Sequence, residues 1–477
     1  SVPSPCKDSR NGMTTVDEEM AVQSRWRLRS AASGAVYEAL VRREFLTPEK
    51  QDRLQEMAVS RLVSFAFGCV PFYADIVARS GLQAGDIKGP EDLSLLPILS
   101  KQQIRENWDR LQSIGAVRSD ETVLIESSGT TGQPLKIRHC RRSTSFFSLL
   151  KQRELRWFRF DTRGVLAVIR AGSGLPPGVT GKSRAWPSVG RSFHTGPAFL
   201  LNVTSPIETQ VEWLRRLEPH YLLSLSGSLE QLAVAFRGER RLNRLRGQMA
   251  ISQELTDEMR RAVELVFHVP IEQNYGLNEV GIVASRCEAG RYHVHNEHCL
   301  VEILGPDGKP VSPGQRGRVV VTTLNNRAMP LLRYDTDDIA TVVEGLCDCG
   351  RTLPSFGQVE GRYSRLALLP AGVFNCVLAL REALASLPDD LAAPLQQFQI
   401  HHYRNNTFRL RLMIRPPLPQ GLIDVLRRTW LTCAPVDWQL VVHRVDNIEK
   451  VEGRKFEAFT SDLFPSRDST SGTSESP

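Results

Sequence analysis

No apolar run in this chain approaches the length a bilayer span needs, and the opening residues, SVPSPCKDSRNG, lack the hydrophobic centre of a secretory signal. The expectation is a cytoplasmic protein without a membrane partner. A disulfide framework is missing too: nine cysteines, an odd number, are spread thinly over 477 residues, the pattern of reduced thiols. Cys6, Cys69, Cys140, Cys376 and Cys433 have no partner pattern and read as small buried apolar side chains. Positive charge is not gathered into a stripe. Arginines are scattered through every segment of a chain of net charge +7, which speaks against a specific nucleic-acid track and for an anionic ligand or plain solubility. The Ser/Thr/Gly string at 127–134 also lacks the Walker pattern, because Gly132 is followed by Gln133 and Pro134 instead of GK[ST].

What is present begins with that string, SSGTTGQP at Ser127 to Pro134, with Lys136 just beyond. The short apolar run Thr122 to Ile125 predicts a strand delivering the chain into it. Small hydroxylated residues and glycines can lay backbone N–H groups and hydroxyls around a phosphate. Taken alone, the same string is equally a surface turn.

At this length two domains or more are expected. Residues 1 to about 20 and 465 to 477 carry few core-forming side chains and are expected to be disordered. Leu54, Met57, Ala58, Leu62 and Phe65 recur at helical spacing, and LSLLPILSKQQIREN places a helix that Ser100 can cap; both read as packing features. A helix is predicted around Phe146 to Phe158, then a buried strand at Val165 to Ile169. The loop-rich stretch Ala171 to Phe199, with Trp186 and Phe193, is long enough to shape a site and is read as the wall of an acid-binding pocket. Tyr221 to Leu225 is a strand leading to a helix at Leu229; Thr256 opens another helix that Pro270 stops; Ile271 to Gln273 runs as a strand into NYGLNEVG. Such alternation predicts an α/β fold with a largely parallel sheet. From Cys299 to Thr323 the texture shifts to short β runs, a small β subdomain, and beyond Arg362 helix and strand alternate again in a smaller α+β C-terminal domain.

Cys287 and His293 form C-x₅-H and Cys347 and Cys349 form C-x-C, a Cys₃His set suited to structural Zn²⁺, although C-x-C is tighter than the common zinc spacing. His295, His298 and Cys299 are rival ligands. Without a metal, HVHNEH is a polar strand edge or loop.

Taken in order, SSGTTGQPLK, the Gln253-Glu254 pair before TDEM, NYGLNE, RYDTDD, EGR and the late EGRKF resemble the adenylate-forming enzymes: acyl-CoA synthetases, adenylation domains and luciferases. LPILSKQQIREN and the cysteine inserts resemble the phenylacetate-CoA ligase-like branch. The resemblance runs from about residue 50 to 460. It implies a large domain over residues 21–361 and a small, mobile one over 362–464. The chemistry it implies is attack of an acid's oxygen on the α-phosphorus of ATP, giving an acyl adenylate and pyrophosphate, a transfer that needs alignment and charge neutralisation.

Carried over by motif, Ser127, Ser128, Gly129, Thr130, Thr131 and Gly132 would hold the β and γ phosphates, and Glu279 would bind Mg²⁺. Tyr275 would stack on adenine with Gly276 allowing close approach, among Asn274, Leu277 and Asn278, and the backbone at Ser252 and Gln253 would meet the base or ribose. Asp338 would accept the ribose hydroxyls and Arg362 would reach ribose or phosphate. Lys455 would bridge acid and α-phosphate, making Lys455, Glu279 and Thr130 the catalytic set, with Arg454 and Lys450 able to take the lysine's place. Two departures stand out. Asn278 occupies a position where relatives carry Ser or Thr, and Tyr363-Ser364-Arg365 replaces the usual acidic hinge pair, which leaves adenylation expected and the coenzyme A step open.

The leading expectation is an ATP- and Mg²⁺-dependent ligase for a small aromatic acid, with CoA, another thiol or an amine as acceptor. The alternatives are activation of nitrite for diazotisation of an arylamine in natural-product biosynthesis, and a zinc-stabilised nucleotide-binding protein without turnover. The oligomeric state is not legible.

Overall fold

The computed structural model describes residues 30–126, 135–171, 174–190, 192–238, 242–252, 255–362, 367–369, 372–374, 395–403, 407–414, 421–433, 438–446, 448 and 459–461. The stretches expected to be disordered at either end lie outside these residues. The described residues fall into two compact units, one within Ser1–Ile125 and Lys136–Val359, the other within Glu126–Leu135 and Glu360–Pro477.

In the larger unit, helices α1 (Ser30–Arg43), α2 (Pro48–Cys69), α3 (Pro71–Ser80) and α4 (Lys101–Glu106) come first. Pro71 ends one helix and opens the next, because proline at the first helical position gives up an N–H that has no partner there anyway. Ser100 caps α4 through a reciprocal box with Gln103, as its sequence predicts. Strands β1 (Thr122–Glu126) and β2 (Lys136–Cys140) form a two-stranded ladder, and helix α5 (Arg141–Trp157) follows.

Next come β3 (Leu166–Arg170), β4 (Thr180–Ser183), β5 (Ala198–Asn202), α6 (Ile207–Leu217), β6 (Tyr221–Leu225), α7 (Ser226–Phe236), β7 (Gly247–Ile251), α8 (Asp257–Phe267) and β8 (Ile271–Leu277). β5, β3, β6, β7 and β8 pair in parallel in that order. Both faces of this part are covered, so its strands are largely apolar, with a few buried polar side chains such as Ser224, Gln248 and Glu272. Ala167 and Ile169 enter one core with Leu222, Leu229 and Val263, while Leu166 and Val168 enter the opposite one with Trp186 and Tyr221. The period of two thus feeds two cores, each fully buried leucine or isoleucine contributing roughly 1.5–3 kcal/mol.

The sheet continues with antiparallel strands β9 (Gly281–Arg286), β10 (Tyr292–Val294), β11 (Cys299–Leu304), β12 (Arg316–Thr323), β13 (Tyr334–Val342) and β14 (Ser355–Arg362), giving the order β11-β12-β13-β14-β10-β9-β8-β7-β6-β3-β5-β4. The β region expected after Cys299 therefore forms one end of the same twelve-stranded sheet.

In the smaller unit, β17 (Leu395–His402), β18 (Thr407–Ile414), β19 (Gln439–Val445) and β20 (Phe459–Ser461) form a four-stranded sheet in the order β19-β18-β17-β20, beside a separate pair β15 (Ala367–Leu369) and β16 (Gly372–Phe374). With helix α9 (Leu422–Cys433) it builds its own core: Phe408 lies 4.8 Å from both Trp430 and Trp438, and His402 stacks on it at 4.0 Å. The fold is mixed α/β, as expected.

Candidate active site

The parallel strands deliver their C-terminal ends to one edge, where open α/β sheets bind ligands. β7 ends there at Ile251, and the next residue, Ser252, adopts φ 65°, a left-handed conformation that a serine rarely takes. β8 continues through Asn274, Tyr275, Gly276 and Leu277, further than the short strand predicted, and turns at Asn278 and Glu279 into β9. Gly281 makes that turn possible: its φ is 101°, and a Cβ there would sit 3.2 Å from His298 Nε2.

From the other end of the sheet, RYDTDD opens β13. Arg333 and Asp337 both have positive φ, at 52° and 69°. Asp335 Oδ1 accepts the Asp337 N–H and Thr336 Oγ1 accepts the Asp338 N–H, a local turn that shifts the register against β12 between Arg318 and Val320. These outliers cluster at one place, as strain does at functional sites.

The two strings meet. Tyr275 Oη donates to Asp338 Oδ2 at 2.7 Å, and Tyr334 donates to Glu279. Burial, with the Asp338 charge adding to it, holds the Tyr275 hydroxyl well above its ordinary pKa; burial and the Glu279 charge do the same for Tyr334. Both hydroxyls stay protonated donors. Glu279 is buried and Asp338 half-buried, while Gly276 and Asn278 are exposed. Tyr275 is itself buried, with its ring edge toward Phe356 at 6.2 Å.

Neighbouring side chains hold the turn. His139 Nε2–H donates to the Asn278 carbonyl at 3.1 Å, and burial pushes this imidazole down to about 4. Asn274 Nδ2 donates to Glu154 Oε1 at 3.0 Å within a buried cluster of Lys151, Glu154 and Glu272. The front segment braces the other side: Leu99 pairs with Tyr334, Leu99 N–H donates to Arg333 O at 2.8 Å, and Lys101 Nζ donates to Thr336 O at 2.7 Å. LPILSKQQIREN thus does more than pack; it steadies the strand that carries Asp338.

Ser127, Ser128, Gly129, Thr130, Thr131, Gly132, Gln253 and Lys455 lie outside the described residues, as does Tyr363-Ser364-Arg365. Arg362 is placed as backbone at the end of β14. Tyr334, Lys101, His139 and Glu154 were not singled out in the sequence. Tyr334 could have been, since it stands inside RYDTDD; the others carry no local pattern. Trp186, expected in a pocket wall, is instead core: it is buried, its Nε1–H donates to Gly164 O at 3.0 Å, and part of its stretch forms β4 and β5.

The second constellation is Cys287, His293, Cys347 and Cys349, whose ligand atoms all lie within 4.8 Å of one another. Cys287 Sγ is 3.6 Å from Cys347 Sγ, and Cys349 Sγ is 3.2 Å from His293 Nε2. His293 Nδ1–H donates to Leu353 O at 3.1 Å, which leaves the Nε2 lone pair aimed at the sulfurs, the arrangement of a metal-bound imidazole. Burial pushes the Cys287 thiol up to about 12 and His293 down to about 4 in the absence of a cation. Three sulfurs and one imidazole nitrogen fit tetrahedral Zn²⁺. The rival ligands point elsewhere: His295 contacts Ser285 and Arg153, His298 Nε2 contacts Val280 O, and Cys299 contacts Val283 O. HVHNEH is neither edge nor loop surface, since His293, His295, Asn296 and His298 are all buried.

No protein-family model matches the chain. The chain is 28% identical over 362 residues to the phenylacetate-coenzyme A ligase of Thermus thermophilus, covering 72% of this chain and 78% of that one. It is 25% identical over 381 residues to the phenylacetate-coenzyme A ligase of Pseudomonas putida, covering 74% and 80%. A crystal structure of 2-hydroxyisobutyryl-CoA ligase in the postadenylation state superimposes with a TM-score of 0.73 at 16% identity over 89% of this chain and 92% of that one. An anthranilate CoA ligase in complex with anthranoyl-AMP does so with a TM-score of 0.52 at 14% identity, over 70% and 65%.

Proposed function

Because the chain belongs to the adenylate-forming superfamily, on its phenylacetate-CoA ligase-like branch, we propose that it adenylates a small aromatic carboxylic acid with ATP and passes the acyl group to coenzyme A. The observation that carries the reading is the paired arrangement of Tyr275 on Asp338 and Tyr334 on Glu279 at the C-terminal edge of the sheet. The aromatic acid is supported by the relatives, which are phenylacetate-coenzyme A ligases at 25–28% identity. The relatives, all phenylacetate-coenzyme A ligases, favour neither nitrite activation nor a protein without turnover.

In this reading Asp338 orients the ribose through its hydroxyls, held in place by Tyr275. The adenine lies against Tyr275 and the exposed backbone at Gly276, between Asn274, Leu277 and the turn at Ser252 and Gln253. Glu279, one carboxylate with a hydroxyl on it, suits Mg²⁺, which takes one or two carboxylates plus phosphate oxygens. Bound there, Mg²⁺ would neutralise phosphate charge. Ser127 to Gly132 would hold the leaving pyrophosphate, and Thr130, Arg362, Asn278 and Lys455 would bear on the phosphates and the acid's oxygen. Alignment of that oxygen with the α-phosphorus is the main contribution asked of the protein. Residues 21–361 would form the adenylating domain and 362–464 the small domain that carries Lys455. Structural Zn²⁺ at Cys287, His293, Cys347 and Cys349 and a cytoplasmic setting complete the proposal.

The test is ATP–pyrophosphate exchange over a panel of aryl, arylacetic and aliphatic acids, with mass spectrometry of the CoA product. Exchange strongest with an aryl or arylacetic acid is expected. Exchange with none, from folded protein, would refute it.

A further inference from the structure

Helices α1, α2 and the start of α5 enclose a cavity of about 260 Å³ that opens to solvent past Ala35 and Arg42. One wall is apolar: Val36 and Leu40 from α1, Leu54, Met57 and Phe65 from α2, and Phe146 from α5. The stripe on α2 was legible as an amphipathic face, yet Leu54, Met57, Ala58 and Phe65 are only half-buried because they look into this space. Neither the Tyr275–Asp338 pair nor the Cys/His cluster contributes to the lining.

The charge around it is one-sided. Five arginines, Arg42, Arg43, Arg61, Arg142 and Arg327, line the cavity against a single lining carboxylate, Glu297, with Arg42 also paired to Glu38 at 3.7 Å. That carboxylate is already engaged, by Arg153 at 2.7 Å and Arg43 at 3.6 Å. Arg142 Nε is buried and makes no hydrogen bond. Burial and the nearby Arg327 charge both push the Arg142 guanidinium down, to about 10, so it remains a cation at neutral pH. Arg327 lies over the Phe65 ring at 5.2 Å, on the apolar wall itself. Two like charges held together beside an apolar hollow are destabilising unless an anion joins them.

We propose that this cavity binds a small amphipathic organic anion, its aryl or alkyl body between α1 and α2 and its single carboxylate-like head on Arg142 and Arg327. The site is separate from the adenylating centre and its existence does not depend on the reaction assigned above. Helix α5 is shared, since it carries Arg142 in its first turn and, further along, Glu154, which accepts from Asn274 Nδ2.

The test uses the 477-residue chain and two fluorescent probes, 8-anilinonaphthalene-1-sulfonate and the uncharged N-phenyl-1-naphthylamine, with decanoate as competitor. Saturable sulfonate binding displaced by decanoate is expected. Arg142→Gln and Arg327→Gln should each weaken it about tenfold, the loss of one charge-assisted contact, with the neutral probe unaffected. Arg142→Lys should retain binding, and Ala58→Trp should abolish both probes by filling the space. Circular dichroism and the melting temperature certify each fold. Absence of sulfonate binding, indifference to the arginine changes in folded protein, survival in Ala58→Trp, or displacement by ATP would each overturn the proposal.

Discussion

Tyr275 Oη donates to Asp338 Oδ2 across 2.7 Å although three strands, β9, β10 and β14, lie between β8 and β13 in the sheet order. Four interstrand spacings in a flat sheet come to roughly 19 Å, beyond the reach of one tyrosine and one aspartate. The sheet therefore turns over on itself here, and the tyrosine closes it. Tyr334 donates the opposite way, from β13 to Glu279, so each string supplies a hydroxyl to the other's acid. Both carboxylates are positioned before any ligand arrives, which is what electrostatic preorganisation requires.

Asp338→Ala should then lower kcat/KM for ATP in pyrophosphate exchange by about 100-fold or more, close to 3 kcal/mol. Tyr275→Phe, which keeps the ring and loses the hydroxyl, should cost about tenfold, as for one hydrogen bond to a charged group. The effect should fall mainly on the KM for ATP. An Asp338→Ala enzyme with unchanged ATP kinetics would remove this residue from the nucleotide site.

The cysteine cluster makes a compositional prediction. Purified protein should contain one zinc per chain by plasma mass spectrometry, and Cys287→Ser or Cys347→Ser should lose it. Melting temperature should fall with it by roughly 5 °C or more, because a structural metal contributes folding energy. Retention of full zinc by both serine variants would show that the metal sits elsewhere.

Much of this was legible beforehand for identifiable reasons. The strands Thr122–Glu126 and Tyr221–Leu225 announce themselves by apolar runs between turn residues, and Thr256 caps its helix by accepting the Met259 N–H. Cys287, His293, Cys347 and Cys349 are suggested by residue type together with the family resemblance, against a C-x-C spacing tighter than usual, and their atoms converge. Edge strand β4 was missed because Thr180-Gly181-Lys182-Ser183 has turn composition and owes its extended form to pairing with β5. The supports of the active site were missed for a different reason. His139, Glu154 and Lys101 act through contacts 139, 120 and 235 residues away in sequence, and no local pattern encodes a long-range partner.

Arg333 illustrates such a partner. Only 4% exposed, it pairs with Glu302 at 3.0 Å and donates to Leu96 O at 2.7 Å, fastening the front segment to β13. Arg333→Ala should destabilise the large unit by roughly 3 to 5 kcal/mol in denaturant titrations, since Glu302 is left charged in a site where burial already raises its pKa. Arg333→Ala combined with Glu302→Gln should recover part of that loss. If the double variant is no more stable than the single one, the ion pair is not what fastens the segment.

His139 gives a pH signature whose sign follows from its burial. The unfolded imidazole titrates near 6.5 and the folded one near 4, so folding excludes the proton. Above 6.5 both states are neutral and the group has no effect on stability. As pH falls through the interval from 6.5 to 4 the unfolded state takes up the proton first, and stability declines by on the order of 3 kcal/mol from this residue. The Nε2–H that donates to Asn278 O belongs to the neutral ring, and an amide N–H can replace it. His139→Gln should therefore show a shallower loss of stability between pH 6.5 and 4 than the parent, measured by urea unfolding at fixed pH values. Parallel pH–stability curves for the two proteins would mean that His139 is not buried as a neutral donor, and that the Asn278 turn is held by something else.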